Sequence, residues 1–326
     1  MRMALRTRGI KMTDLKYAKN IVTDTKPFPQ ELIEKFKEKH PDAPPPMDST
    51  RLLWLDEEVV EGAFYMEFIW LWQMTSGPVT VEEPHRHDFA ELIGFIGGNQ
   101  ATPNDLDGEI EIRLGEKDFT LDKSCLVFIP KGLTHCPIQF KKISSPILWF
   151  TAAPNGMYRR SEGQTTGPKE GKLNPKKTGD NPADLSKYII TGMKPGLEST
   201  RPHENLPPNA SSMTRLLWLD NEMASGAFYM ECVWYGKGAG MGGPDPHIHD
   251  FDEVLGFIGT NRQDPHDLGG TVELWLENEK HLLSKSSLVF IPRGMKHCPM
   301  ILKDLRTPVF HFSSGNGGTY QRKAMS

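Results

Sequence analysis

Apolar and polar side chains alternate with a period of two along much of this chain. In Glu109-Ile-Glu-Ile-Arg-Leu114 and Thr271-Val-Glu-Leu-Trp-Leu276 every second residue is aliphatic, the pattern of a strand with one buried face. Residues 63–70 are denser in aromatic and aliphatic side chains and read as a more deeply buried strand. Ser124-Cys-Leu-Val-Phe-Ile129 stops at Pro130, and Ser286-Ser-Leu-Val-Phe-Ile291 stops at Pro292, where the missing N–H ends a ladder. Residues 29–40 carry the one helical reading in the N-terminal region. Residues 99–108 and 261–270 are polar loops, longer than a simple hairpin needs. Short strands punctuated by Gly, Pro, Asn and Asp predict an all-β chain built as barrels or sandwiches.

These patterns occur twice, which is the most informative feature of the sequence. Thr50-Arg-Leu-Leu-Trp-Leu-Asp56 returns as Thr214-Arg-Leu-Leu-Trp-Leu-Asp220, and Gly62-Ala-Phe-Tyr-Met-Glu67 returns as Gly226-Ala-Phe-Tyr-Met-Glu231. Residues 85–137 align without a gap on residues 247–299, with more than half of the positions identical. The duplication extends upstream: Asp14-Leu-Lys-Tyr17 and Ile21-Val-Thr23 are matched by Asp184-Leu-Ser-Lys-Tyr188 and Ile189-Ile-Thr191. Each copy therefore has a lead-in arm, and the Leu and Tyr kept in both arms predict docking onto a barrel. Residues 163–183 are rich in Gly, Pro, Lys and Thr without apolar periodicity, the composition of an exposed connector. The predicted organisation is a barrel with its arm over residues 1–162, a linker over 163–183, and a second barrel with its arm over 184–326.

A chain of 326 residues suits two ordinary domains, and 37% hydrophobic residues suffices for two small cores. A formal charge of −4 spread along the chain speaks against a nucleic-acid surface. No apolar run approaches a membrane span. Arg2, Arg6, Arg8 and Lys11 make the start basic, without the apolar core of a secretory signal. Cys125, Cys136, Cys232 and Cys298 show neither CxxC spacing nor a dense framework, so a reduced, cytoplasmic setting is expected.

Each copy also holds three histidines and a glutamate at matching places: His85, His87, Glu91 and His135 in the first, His247, His249, Glu253 and His297 in the second. His-x-His on a strand sets two imidazoles on one face. Asp88-Phe-Ala90 can turn the chain so that Glu91 enters beside them, and His135 arrives from a distant strand after the turn Pro130-Lys-Gly132. Three neutral imidazoles and one carboxylate suit Fe(II), Mn(II), Ni(II), Co(II) or Zn(II), with positions left for water or a substrate.

The chain resembles the cupin superfamily, and its two-barrel members, the bicupins. Pro84-His-Arg-His-Asp-Phe-Ala-Glu91 and Pro246-His-Ile-His-Asp-Phe-Asp-Glu253 match the centre of the first cupin motif. Pro130-Lys-Gly-Leu-Thr-His135 and Pro292-Arg-Gly-Met-Lys-His297 match the second. Departures fall at turns and strand ends. Val79 and Met241 stand for the opening Gly, Thr260 for the closing Gly that Gly98 supplies in the first copy, Ser124 and Ser286 for another Gly, and Gln139 and Ile301 for an Asn. The resemblance implies two jelly-roll (double-stranded β-helix) barrels and one divalent transition metal per barrel, two per chain. Fe(II) or Mn(II) are the preferred ions, with Ni, Co or Zn as alternatives. It further implies a dioxygenase, or a decarboxylase or isomerase, acting on a small organic acid or an aromatic or enol substrate. The alternative is a non-catalytic metal-dependent small-molecule binding protein or sensor. Neither reading involves nucleic acid or a membrane. Jelly-roll barrels expose sheet edges, which the arms would cover within the chain or across a homodimer.

The remaining residues carry weaker expectations. Cys136 and Cys298 follow the last histidine of each set, so strand alternation points them away from the metal. Glu67 and Glu231 are either barrel-lining or ion-paired acids, with Tyr65 and Tyr229 on the same face. Trp54 and Trp218 read as packing residues. The second barrel is the better catalytic candidate, with Glu253 and His311 as candidate catalytic residues. His311 stands where the first copy has Trp149, and the glycine-rich residues 236–243 precede the second His-x-His.

Overall fold

The computed structural model describes residues 15–27, 34, 47–157, 182–197, 213–238 and 243–324. Apart from Glu34, the expected helix over 29–40 lies outside the described residues, as do nearly all of the connector 163–183 and the glycine-rich residues 239–242. The first arm supplies β1 (Ile21–Val22). The first barrel comprises β2 (Met47–Leu55), β3 (Tyr65–Met74), β4 (Val79–Val81), β5 (Glu91–Gly97), β6 (Asp105–Leu114), β7 (Lys117–Lys123), β8 (Cys125–Ile129), β9 (His135–Ile143) and β10 (Ile147–Ala153). The second arm supplies β11 (Ile189–Ile190). The second barrel comprises β12 (Met213–Leu219), β13 (Tyr229–Tyr235), β14 (His247–Ile248), β15 (Glu253–Gly259), β16 (Asp267–Leu276), β17 (Glu279–Lys285), β18 (Ser287–Ile291), β19 (His297–Lys303), β20 (Val309–Gly315) and β21 (Lys323–Ala324).

The chain is all-β, and the duplication predicted from sequence is a duplication of jelly-roll barrels. In the first barrel a six-stranded sheet β11-β8-β5-β10-β3-β2 faces a four-stranded sheet β4-β9-β6-β7; in the second, β1-β18-β15-β20-β13-β12 faces β17-β16-β19-β14-β21. The alternating segments form β6 and β16, which place Ile110, Ile112 and Leu114, or Val272, Leu274 and Leu276, inside their barrels. The two six-stranded sheets behave differently, because both of their faces are covered. One face closes a barrel interior, and the other packs against its counterpart in a core shared by both barrels. That is why β5 and β15 are buried along their whole lengths and read as unbroken apolar runs.

The shared core is organised by rings. Phe68 stacks on both Phe150 and Phe312, with centroids 4.9 Å away in each case. These rings can lie flat against the sheets because the residues opposite them are glycines: Gly94 pairs with Phe150 and Gly256 with Phe312. A Cβ at Gly94 would sit 2.1 Å from the Phe150 ring, and one at Gly256 would sit 1.8 Å from that of Phe312. Gly94→Ala and Gly256→Ala should therefore each destabilise the fold by about 1–3 kcal/mol through overpacking. Denaturant titration reads the effect, and unchanged midpoints would show that the rings have room to move.

The arms cross between the barrels. Ile21 and Val22 pair with Val289 and Leu288 of the second barrel, while Ile189 and Ile190 pair with Val127 and Leu126 of the first. The Asn20 side chain donates to the Phe290 carbonyl at 3.0 Å. A few residues later each chain segment returns to the barrel that follows it in sequence, where Lys26 meets Asp56 at 2.5 Å and Lys194 meets Asp220 at 2.7 Å. Each arm thus completes the sheet of one barrel and is tethered to the other. No described helix is long and apolar enough to cross a membrane.

Candidate metal centres

Each site forms where the two sheets of a barrel approach. His85 and His135 face each other as a backbone-paired bridge, as do His247 and His297. Glu91 and Glu253 begin the strands β5 and β15, so a short turn after each His-x-His does deliver the carboxylate to the imidazoles. Phe89 stacks on His87 and Phe251 on His249, each at 4.7 Å, which fixes the plane of the middle imidazole.

In the first barrel one ligand atom from each of His85, His87, Glu91 and His135 lies within 4.8 Å of the others. In the second barrel His249, Glu253 and His297 form one such group, and His247, His297 and Cys298 form another that shares His297. Glu91 Oε2 lies 3.3 Å from His87 Nε2 and 2.9 Å from His135 Nε2. Glu253 Oε2 lies 3.4 Å from His249 Nε2 and 3.1 Å from His297 Nε2.

The outward nitrogens are already committed. His85 Nδ1 meets the Glu83 carbonyl at 2.7 Å, His135 Nδ1 that of Leu133 at 3.1 Å, and His247 Nδ1 that of Asp245 at 2.7 Å. His249 Nδ1 meets the Gln321 carbonyl at 2.5 Å and His297 Nδ1 that of Met295 at 3.1 Å. A carbonyl only accepts, so these rings carry their proton on Nδ1 and aim an Nε2 lone pair inward, the tautomer a metal needs. The inward atoms are buried and lack good hydrogen bonds: His87 Nε2, Glu91 Oε2 and His135 Nε2 in the first site, His249 Nε2, Glu253 Oε2 and His297 Nε2 in the second. Buried polar atoms that converge without well-formed hydrogen bonds are costly. A cation of the kind these donors prefer would satisfy all of them, so the residues fit a divalent transition metal.

The electrostatics agree. Burial opposes ionisation of Glu91, but the His135 and His87 imidazoles prevail and hold it down to about 2. Glu253 is likewise held well below the usual carboxylate range, its burial outweighed by His249 and His297. Both glutamates are anionic ligands in character rather than proton donors. Burial pushes His85 and His247 down to about 4, so each is a neutral imidazole near pH 7. His249 is pushed up, because the Glu253 carboxylate 3.4 Å away outweighs burial; a metal would have to displace the proton that this pairing favours.

Around these sites the copies differ. In the first barrel the Trp149 indole stacks over Phe95 at 6.5 Å and meets Phe140 edge-on at 5.6 Å. In the second barrel His311 and Leu302 stand at the matching places, and a cavity of about 670 Å³ opens beside Glu253, His247 and His297. His311 lines it, stacked on Phe257 at 4.8 Å with Nδ1 donating to the Gly256 carbonyl at 2.8 Å. Trp218, expected as a packing residue, also lines this cavity and donates its indole N–H to Asp220 at 2.9 Å.

Strand alternation fails at Cys298. Cys298 adopts a left-handed backbone with φ 70°, which breaks the in-and-out rhythm and turns its thiol toward His247, His297 and the cavity. Burial pushes that thiol up, so it stays protonated and poorly reactive. Glu67 and Glu231 are ion-paired: Glu67 with Arg51, and Glu231 with Arg215 at 2.5 Å. The Tyr65 and Tyr229 hydroxyls add hydrogen bonds to them at 3.1 Å and 3.4 Å. Sequence reading missed Tyr320 and Arg322, which also line the second cavity. The available signal was a matching Tyr158-x-Arg160 at the end of the first copy, which lies outside the described residues.

Solved structures give this architecture a name. The formate complex of Lactobacillus farciminis oxalate decarboxylase matches with a TM-score of 0.51 at 14% identity, over 87% of this chain and 87% of that one. A Bacillus subtilis oxalate decarboxylase, studied for its Mn(II) centres, matches with 0.50 at 12% identity, over 92% and 86%. A single-residue variant of the Bacillus enzyme gives 0.50 at 11% identity, over 87% and 78%. The fold is that of a bicupin. No family model and no curated protein matches the sequence. At such low identity the likeness establishes the bicupin fold alone, and the chemistry rests on the sites.

Proposed function

We propose that this bicupin is a metal-dependent enzyme that converts a small organic acid or an aromatic or enol substrate in its second barrel, by decarboxylase, isomerase or dioxygenase chemistry. The observation that carries the proposal is the cavity of about 670 Å³ that opens onto the His247, Glu253 and His297 side chains, within the range of small-molecule sites. The His85, His87, Glu91 and His135 set would hold one ion, and the His247, His249, Glu253 and His297 set the other. Fe(II) or Mn(II) are preferred, and the Mn(II) centres named for the Bacillus relative support manganese. A bound ion supplies Lewis acidity, or a redox couple if it is iron or manganese.

The chain's own residues orient and shield the substrate. Trp218, Tyr229, Tyr235 and Leu255 give part of the cavity an apolar wall against which the carbon frame of a substrate packs. His311 is the acceptor for a substrate proton. Its Nδ1 proton is held by Gly256, so the lone pair is on Nε2. Elemental analysis of protein purified without added metal, followed by turnover of a panel of carboxylic and enolic acids, tests the proposal. Metal-loaded protein that binds but never converts any of them would point to a sensor or binding protein.

His311 gives a sharper test. His311→Phe should lower kcat/KM about 100-fold while leaving metal content unchanged. Burial pushes His311 down to about 4, so it is a free base throughout the neutral range. This base is itself lost only as pH falls through about 4, so any fall in activity at higher pH should track loss of the metal, which counting metal in the same samples would show. An acid limb near pH 4 that persists in His311→Phe would assign the limb to another group.

A further inference from the structure

The wall of the second cavity includes the last described segment of the chain, which is pinned to the metal-site residues. In β21, Ala324 pairs with His247 and Lys323 with Ile248. The Gln321 carbonyl accepts a hydrogen bond from His249 Nδ1 at 2.5 Å. The Tyr320 ring lies 5.3 Å from that of His249 and 4.9 Å from that of Tyr229. Tyr320 and Arg322 are thereby held at the cavity rather than left on a tail.

Two guanidinium groups line this cavity, and their charges are used differently. Arg215 is engaged by Glu231 at 2.5 Å and by the Leu197 carbonyl at 2.9 Å. Arg322 is exposed, and among the described residues it makes no ion pair or hydrogen bond. The remaining lining charges are Asp245 at the exposed rim and Glu253 within the site. A divalent ion on three neutral imidazoles and Glu253 leaves about one net positive charge. Arg322 and Asp245 offset each other, so the loaded cavity favours an anion. Its size and surface bear on the rest of that anion. About 670 Å³ walled in part by Trp218, Tyr229, Tyr235 and Tyr320 is far more than a two-carbon diacid fills, and aromatic walls favour stacking against a flat apolar group.

Resting on the reading of the second barrel as the working site, we propose that its ligand is a carboxylate bearing a ring-sized apolar remainder, and that Arg322 binds the carboxylate. The planar guanidinium fork suits a carboxylate through paired, charge-assisted hydrogen bonds. The ring lies among the aromatic side chains of Trp218, Tyr229 and Tyr320, which pack against one another beside Arg322. Arg322 is a binding residue and takes no part in proton transfer.

The probes are benzoate, its neutral analogue benzamide, and oxalate, titrated calorimetrically into metal-loaded and metal-stripped full-length protein, with metal counted in the same samples. Benzoate should bind more tightly than oxalate, and Arg322→Gln should weaken benzoate at least about tenfold with no change in thermal stability. Arg322→Lys should recover part of that loss, and benzamide should bind weakly and ignore both substitutions. Equal benzoate affinity in wild type and Arg322→Gln would overturn the role of Arg322. Tighter binding of oxalate than benzoate, or no benzoate binding in either form, would overturn the ligand class. Benzoate binding that depends on Arg322 in a protein retaining no metal would leave this inference standing and remove the metal-dependent function instead.

Discussion

His297→Ala should cost the chain one of two metal equivalents, with the loss confined to the second barrel, and His135→Ala should do the same for the first. Each of these histidines does more than donate a lone pair. His297 Nε2 sits 3.1 Å from Glu253 Oε2, its Nδ1 is braced on the Met295 carbonyl, and its backbone pairs with His247 on the neighbouring strand of the same sheet. Losing a group that merely orients a ligand typically costs 10–100-fold in metal affinity, so losing the ligand itself should cost more than about 100-fold. The two sites lie in separate barrel interiors, so the losses should be independent. Elemental analysis of the two variants and the double variant decides the matter, with circular dichroism to verify folding. Loss of both equivalents in either single variant would mean that the sites are coupled. Acid should reproduce the effect in the second barrel: His249 is pushed up by Glu253, so its proton competes with the metal increasingly as pH falls. If the enzyme reading holds, turnover should follow the second metal, so that His297→Ala is inactive and His135→Ala is not.

The repeat and the eight candidate ligands were legible because they are local or nearly local in sequence. His-x-His needs only strand geometry, Glu91 and Glu253 lie four residues further on, and duplication supplied an internal control. The rest depended on what packs against what. The segments of β5 and β15 show no alternation, and only the second barrel explains why both of their faces are apolar. The expectation for Cys298 rested on regular alternation, which a single left-handed residue overrides. Glu231 could not be assigned until the Arg215 side chain was seen beside it. Trp218 sits in a repeated motif shared with Trp54, but its place on the wall of the large cavity depends on what packs around it, Tyr229 and Tyr320, the latter far away in sequence. Tyr320 and Arg322 follow the last recognisable motif, in a stretch with no strand-like pattern. Their importance comes from one short pairing with the ligand-bearing strand β14.

Removal of residues 1–23 should destabilise the second barrel, although these residues precede the first. The deletion takes away the two-residue strand β1, whose pairing with Val289 and Leu288 completes a six-stranded sheet. It also removes the Asn20 hydrogen bond to Phe290 and the backbone N–H groups of Lys16 and Tyr17 that donate to Glu279, each at 3.0 Å. Val22 leaves the shared core, and the edge of β18 is exposed to solvent. A handful of net hydrogen bonds at about 1 kcal/mol each, with one buried aliphatic side chain at about 2 kcal/mol, gives a loss on the order of 4 kcal/mol, before any relaxation of the edge. The tether of Lys26 to Asp56 survives the cut, so the first barrel keeps its own contact and its own covering strand β11. Hydrogen exchange should therefore quicken in β18 (Ser287–Ile291) and stay slow in β8 (Cys125–Ile129). Faster exchange in β8 with β18 unchanged would place the first arm on its own barrel and refute the crossed arrangement. An exposed β18 edge is also a template for pairing with a second chain, so the truncated protein should associate with increasing concentration, which analytical ultracentrifugation would detect.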